Sequence, residues 1–277
     1  MDSKKFQKNI KTAIDLRFEH YLLQEGITDF EYEPFSTLGK ELKIPDYLVV
    51  HGKSALVEIK EIETIPLDHV KGAGTMDAMG VADIMRKKIK KAKKQLKPHK
   101  EKADYTIILL GKNKGFALSM RDLEWAMYGD PVIRLQINKK NGAPRGKPYF
   151  DYKAKGAMRK NDPVTKERYF PASYISAVGI IKETKGYEYY LSRLYEKYMS
   201  PYNRNAPPEK EVKRAFKEFE EIQKKHKHTI PNKYQRDRKK LIFRLELIAN
   251  VLSDSPLPKS FFAGKYDSYK IHKIVTI

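Results

Sequence analysis

The sequence predicts an α/β layer fold with a small helical C-terminal subdomain, and three observations carry that prediction. The apolar pattern changes period along the first half of the chain, from helical spacing to short strand-like runs, back to helical spacing, and then to a run that is apolar on both faces. A Pro-rich stretch at 201–208 separates this region from two further helical stripes. Finally, 277 residues with 40% hydrophobic and 11% aromatic side chains can bury a sizeable core.

In chain order, Phe6, Ile10, Ile14, Phe18 and Leu22 recur every four positions and Gly26 follows, so the first element is an amphipathic helix. Three short runs come next: 30–34, 47–50 and 56–60, with a hairpin turn at Gly52 and His51 read as a turn residue. Val81, Met85, Ile89, Ala92 and Leu96 mark a second long helix, ended by Pro98. Tyr105 to Leu110 suits a central strand covered on both faces. A short helix at 123–128, a strand at 132–137, basic loops at 138–171, a strand at 174–181 and a Tyr-rich helix at 187–199 complete a first domain spanning 1–200. Residues 201–277 form the helical subdomain, from the stripe Val212, Phe216, Phe219, Ile222 and the stripe Leu241, Leu245, Ile248, Leu252.

The chain has no Cys, which excludes disulfide scaffolds and Cys-ligated zinc or iron–sulfur centres. Its 56 Lys and Arg against 35 Asp and Glu leave a net charge of +21. Such an excess repels itself in a compact state, so a polyanionic partner is expected, nucleic acid before anionic membrane. No apolar run approaches the roughly 18 residues of a membrane span, and the first ten residues are too polar for a signal peptide. A soluble, cytoplasmic protein is the expectation.

One constellation points to chemistry. Pro45-Asp46 precedes the second strand and Glu58-Ile59-Lys60 closes the third. Residues i and i+2 of a strand share a face, so Glu58 and Lys60 point together, and if Asp46 faces the same side, two carboxylates and an ammonium converge. Two carboxylates with water and substrate phosphate suffice for Mg²⁺ or Mn²⁺. An ammonium beside the metal suits the orientation of an attacking water or the neutralisation of charge developing on phosphorus. Asp/Glu-x-Lys by itself says little, since Asp2, Glu41, Asp151, Glu183 and Glu211 each begin another, whereas Pro-Asp occurs once. The ordinary alternative is a half-buried strand pair.

Over roughly residues 10–137, this arrangement resembles the PD-(D/E)xK, or restriction-endonuclease-like, nuclease superfamily: helix, three-strand meander, helix, strand, in a mixed central sheet flanked by helices. The stretch 26–35 is similar to the corresponding segment of phage junction-resolving endonucleases. The resemblance implies Asp46 and Glu58 as metal ligands, Lys60 as catalytic lysine, and products with 5′-phosphate and 3′-hydroxyl ends. It also implies an assisting acid from the first helix. Glu19 fits by residue type and Asp15 by its distance to the Gly-Ile step, while Glu33 is a third position of that kind.

The second helix carries nine basic side chains between Arg86 and Lys100 and no acidic residue among them, so like charges meet at every turn. Phosphates would relieve that repulsion. Lys87, Lys88, Lys91, Lys94 and Gln95 are the expected nucleic-acid contacts, with Lys88, Lys91 and Gln95 in one row beside the apolar stripe. Tyr149, Tyr152, Tyr169 and Tyr174 interleave with basic residues, a mixture suited to stacking bases or equally to core packing. His226 and His228 lack further ligands, and Gly72-Ala73-Gly74 is no phosphate-loop fingerprint. The expected activity is metal-dependent endonucleolytic cleavage of DNA, by a protein that pairs as a homodimer if it cuts both strands. RNA cleavage and metal-independent nucleic-acid binding on an inactive nuclease fold are the alternatives.

Overall fold

A computed structural model describes residues 11–35, 44–62, 78–112, 118–129, 131–137, 144–152, 156–158, 160–161, 168–169, 172–185, 241–250 and 252–271. The first helix, α1 (Ala13–Gln24), starts later than its apolar spacing suggested, because Thr12 and Asp15 form a capping box: Asp15 N–H donates to Thr12 Oγ1 at 3.2 Å and Thr12 N–H donates to Asp15 Oδ2 at 2.7 Å. The meander follows as β1 (Phe30–Tyr32), β2 (Tyr47–His51) and β3 (Lys53–Glu61), both pairings antiparallel, and Gly52 makes the β2–β3 turn at φ 71°. Helix α2 (Ala78–Leu96) then crosses to β4 (Tyr105–Gly111), parallel to β3, and α3 (Met120–Tyr128) starts at the Ser119 cap.

The order helix, three strands, helix, strand is therefore present. The mixed sheet is larger than that, with seven strands ordered β1-β2-β3-β4-β9-β10-β11, where β9 is Ala177–Lys185, β10 is Leu241–Ala249 and β11 is Ser268–Ile271. Asn250 N–H donates to Ser176 O at 2.9 Å, and a Cβ on Gly179 would meet Leu247 and Glu246, so β10 runs antiparallel to β9.

Alternation along the strands divides the core between two faces. Leu56, Ile108, Leu110, Val178, Ile180 and Ile248 pack with Met85, Ile89, Ala92 and Leu96 of α2 and with Leu123 of α3. On the other face, Phe18 and Tyr21 of α1 meet Phe262, and Phe18 also meets Tyr47 at 5.2 Å, while Phe261 packs on Phe262 at 4.8 Å.

Three expectations are corrected. The stripe Leu241, Leu245, Ile248 lies on strand β10 and not on a helix, because a short, largely apolar segment fits either period and here pairs between β9 and β11 with most of its residues buried. Residues 138–171 are not loops throughout: β6 (Pro144–Tyr152) pairs with β5 (Pro131–Ile137) in a separate two-stranded sheet, for which Asn141-Gly142 was the available turn signal, and β7 (Lys160–Asn161) pairs with β8 (Arg168–Tyr169). The strand expected at 174–181 is shifted to Ala177–Lys185. The chain forms two compact units, Met1–Lys182 with Arg244–Ile277, and Glu183–Phe243. The helices expected at 187–199 and around Val212 to Ile222 lie outside the described residues, as do the 72–74 glycines and His226 and His228. No helix among the described residues is long and apolar enough to cross a membrane.

Candidate functional site

The meander sets three acidic residues in one row. Tyr47 stands opposite Tyr32 on one side and Val57 on the other, so one further step places Asp46 between Glu33 and Glu58. Glu33 N–H donates to Asp46 O at 2.8 Å, and Ile59 N–H donates to Asp46 Oδ2 at 2.6 Å, which fixes the carboxylate against β3. Glu33 itself has φ 51°, a left-handed conformation unusual for a side chain with a Cβ, and strain of this kind concentrates at functional sites.

Glu58 is fully buried and Lys60 Nζ forms an ion pair with its Oε1, while neither carboxylate oxygen makes a hydrogen bond of ordinary geometry. Burial, then the neighbouring Asp46 charge, push its carboxyl up to about 8 against the opposing pull of Lys60. Asp46 is pushed up to about 6 by burial, with Lys60 and the Ile59 N–H opposing and Asp15 and Glu33 adding to the rise. Two neighbouring carboxyls pushed up by burial, Glu58 beside Lys60 and Asp46 against the Ile59 N–H, fit a cation that would restore both to the ionised form. Among the described residues no group of three His, Cys, Asp or Glu side chains is arranged as a complete metal cage. Asp46 and Glu58 would thus supply part of a coordination sphere completed by other ligands, the usual situation for Mg²⁺ at a phosphate substrate.

The other acidic candidates separate. Asp15 is buried, closes the capping box and bears on Asp46 through its charge. Glu19 accepts from Tyr47 OH at 3.0 Å and pairs with Lys11. Sequence reasoning missed Tyr32, whose hydroxyl is pushed up to about 12 by burial and by the charges of Asp15, Glu33, Asp46 and Glu19 together. No sequence signal singled it out, because Tyr32 also continues the β1 alternation as an ordinary strand residue.

Along α2 the expected apolar stripe is buried, and Lys87, Lys91 and Lys94 are exposed, with Lys88 and Gln95 half-buried. Arg86 is a correction: it is buried, pairs with Asp83 and donates from NH2 to Trp125 O at 3.2 Å, tying α2 to α3. Lys93 Nζ likewise donates to Ala157 O at 2.7 Å. Because α2 returns the chain from the end of β3 to the start of β4, its last turn lies at the level of Ala55 and Tyr105. Gln95 therefore lies toward the start of β3 and β4, and Lys88 nearer the end of β3 that carries Lys60. Tyr174 OH donates to Lys93 O at 2.9 Å, a packing role, while Tyr149, Tyr152 and Tyr169 are described by their backbone alone.

A cavity of about 380 Å³ opens at that same far end, lined by Lys53, Asp104, Tyr105, Tyr174 and Asp254 among others. Its best-placed acid, Asp104, is exposed and accepts from Ser54 N–H at 2.8 Å and Ser54 Oγ at 2.9 Å, which hold it below the usual carboxylate range. That acid is already satisfied by Ser54, whereas Asp46 and Glu58 lie at the other end of β3 beside Lys60. Comparison of the chain with protein-family models, curated proteins and solved structures finds no match.

Proposed function

We propose that the protein is a divalent-metal-dependent phosphodiesterase that cleaves DNA, working as the PD-(D/E)xK resemblance implies. The observation that carries this reading is the convergence of half-buried Asp46, just before β2, and buried Glu58 on β3, with Lys60 on the Glu58 carboxylate, in a chain of net charge +21. Asp46, aimed by the Ile59 N–H, and Glu58 would hold Mg²⁺ or Mn²⁺. When bound, the metal supplies positive charge for the phosphate oxygens and lowers the pKa of water. Lys60 lies on the same strand face as Glu58, where its ammonium can orient the incoming water and offset charge gathering on phosphorus. Water adds to phosphorus and the 3′ oxygen leaves, giving 5′-phosphate and 3′-hydroxyl ends. The exposed lysines of α2 contribute to backbone attraction.

Supercoiled plasmid tests this directly. Wild type is expected to nick or linearise it only with Mg²⁺ or Mn²⁺, while Lys60→Ala and Asp46→Ala bind without cutting. Intact plasmid, branched DNA, single-stranded DNA and RNA under both metals would reject hydrolysis and leave a basic binding protein.

A further inference from the structure

Four neighbouring strands carry a row of cations toward the edge that holds the candidate site. Lys60 stands opposite Leu110 of β4, and Leu110 stands opposite Ile180 of β9. One residue past β4 is Lys112, two past Ile180 is Lys182, and Arg244 lies across from Lys182 on antiparallel β10. Lys60, Lys182 and Arg244 share one face, since each continues the alternation of residues packed against α2: Leu56 on β3, Val178 and Ile180 on β9, Ile248 on β10. Glu246 ties two of them together, with Oε2 2.7 Å from Lys182 Nζ and Oε1 3.0 Å from Arg244 NH2.

This placement is costly for a fold that needs only stability. Below these residues the same strand faces are filled by Val178, Ile180 and Ile248, and burying charges in place of such side chains is often neutral or worse for stability. Glu246 and Arg244 are nonetheless buried, and Lys182 Nζ keeps a side-chain exposure of 22%. One carboxylate divided between two cations positions them more than it neutralises them.

We propose that Lys182, with Arg244 and Lys112, forms a phosphate seat that holds the nucleic-acid backbone leading away from the scissile phosphate at Asp46, Glu58 and Lys60. The inference rests on the phosphodiesterase reading for the location of the scissile phosphate. Strands about 4.8 Å apart put β3 and β10 about 14 Å apart. A nucleic-acid strand advances about 3.4 Å per phosphate along its axis, so the far end of the seat lies about four nucleotide steps from the level of Lys60. The metal side of the edge is acidic and the seat is basic, so a backbone crossing both has one phosphate on the metal and the next few on cations. Lys182 and its neighbours are positioning residues and do not touch the reacting atoms.

The test measures binding and cleavage separately, on 5′-labelled duplex oligonucleotides with wild type, Lys182→Ala, Lys182→Arg, and Lys53→Ala at the opposite end of the sheet. Lys182→Ala is expected to raise Kd and KM about tenfold, leave kcat within about twofold, and reduce the slope of log K against log salt by about 1. Lys182→Arg should restore affinity, and Lys53→Ala should change none of these. A methylphosphonate two to four nucleotides from the cut should weaken wild type but add nothing to Lys182→Ala. A wild-type salt slope in folded Lys182→Ala, or additive effects of the neutral linkage, would overturn the seat while leaving hydrolysis standing. Absence of cleavage by wild type, with the reduced slope in Lys182→Ala, would sink the hydrolase reading and leave a phosphate seat without its proposed scissile neighbour. If wild type binds no nucleic acid, both fall.

Discussion

Two buried carboxyl sites in this molecule are pushed in the same direction by the same cause, yet they are built for different ends. Asp267 accepts from Tyr21 OH at 2.5 Å, from Leu245 N–H at 2.8 Å and from Gly264 N–H at 3.1 Å, and burial pushes its carboxyl up to about 6. Asp46 receives one backbone donor, and Glu58, more deeply buried, has Lys60 and the backbone of Asp46 beside it. The first site ties α1 to the segment between β10 and β11 and is complete as it stands. The second has oxygens to spare. A raised carboxyl pKa alone thus does not mark function, and the number of satisfied lone pairs does more to separate a staple from a site.

The largest expected effect that would break this contrast is on chemistry. Lys60→Ala or Asp46→Ala should lower plasmid cleavage by about 10³-fold or more with the melting temperature little changed, the size typical of losing a positioned electrostatic group. Asp267→Ala should do the reverse. It leaves three donors without their acceptor, so urea denaturation should show a loss of about 2–4 kcal/mol, while activity per folded molecule stays near wild type.

Next comes the response to pH. A carboxyl whose folded pKa is raised binds more protons folded than unfolded, so its contribution favours the fold at low pH and is lost as pH rises through the folded value. For Asp46 and Glu58 that window runs from about 4, the unfolded range, to about 6 and about 8 respectively. Metal-free protein should therefore lose thermal stability between pH 5 and pH 8 on the order of a few degrees. Saturating Mg²⁺ should raise the melting temperature more at pH 8 than at pH 5, with protons released on binding. Asp267 contributes a loss of the same sign that Mg²⁺ does not rescue, and Asp267→Asn removes it.

Glu58→Gln sharpens the comparison further: without a buried charge the metal-free protein should melt a few degrees higher at pH 8, and Mg²⁺ should no longer stabilise it. The smallest effects separate the assisting acids. Glu33→Gln is expected to lower cleavage by about tenfold and Glu19→Gln by less, since outer partners of a metal site commonly contribute about 10–100-fold and Glu19 is engaged with Tyr47 and Lys11. Equal losses in single-turnover assays would put both acids in one role.

Much of the meander was legible because its signals are local. Gly52 between two apolar runs marks a turn, Pro45-Asp46 precedes one strand, and Glu58 and Lys60 share a face by simple alternation. The apolar stripe of α2 was legible for the same reason. The start of α1 was written in Thr12 and Asp15, a capping signal that the apolar period concealed. By contrast, Arg86 looked like its lysine neighbours, and only the approach of Trp125 and Asp83 makes it a structural residue.

The sequence by itself determined that the chain is basic, that its first half alternates helix and strand, and that two carboxylates and a lysine fall on adjacent strands, because charge, period and i,i+2 spacing are properties of neighbours along the chain. Tertiary structure alone decided that Leu241–Ala249 is a strand inside the same sheet, that Tyr32 lies among four acids, and that Lys182 and Arg244 stand on the edge where Lys60 ends β3. Those relations join residues up to about two hundred positions apart, and an apolar run that suits either period takes its conformation from the strands that flank it.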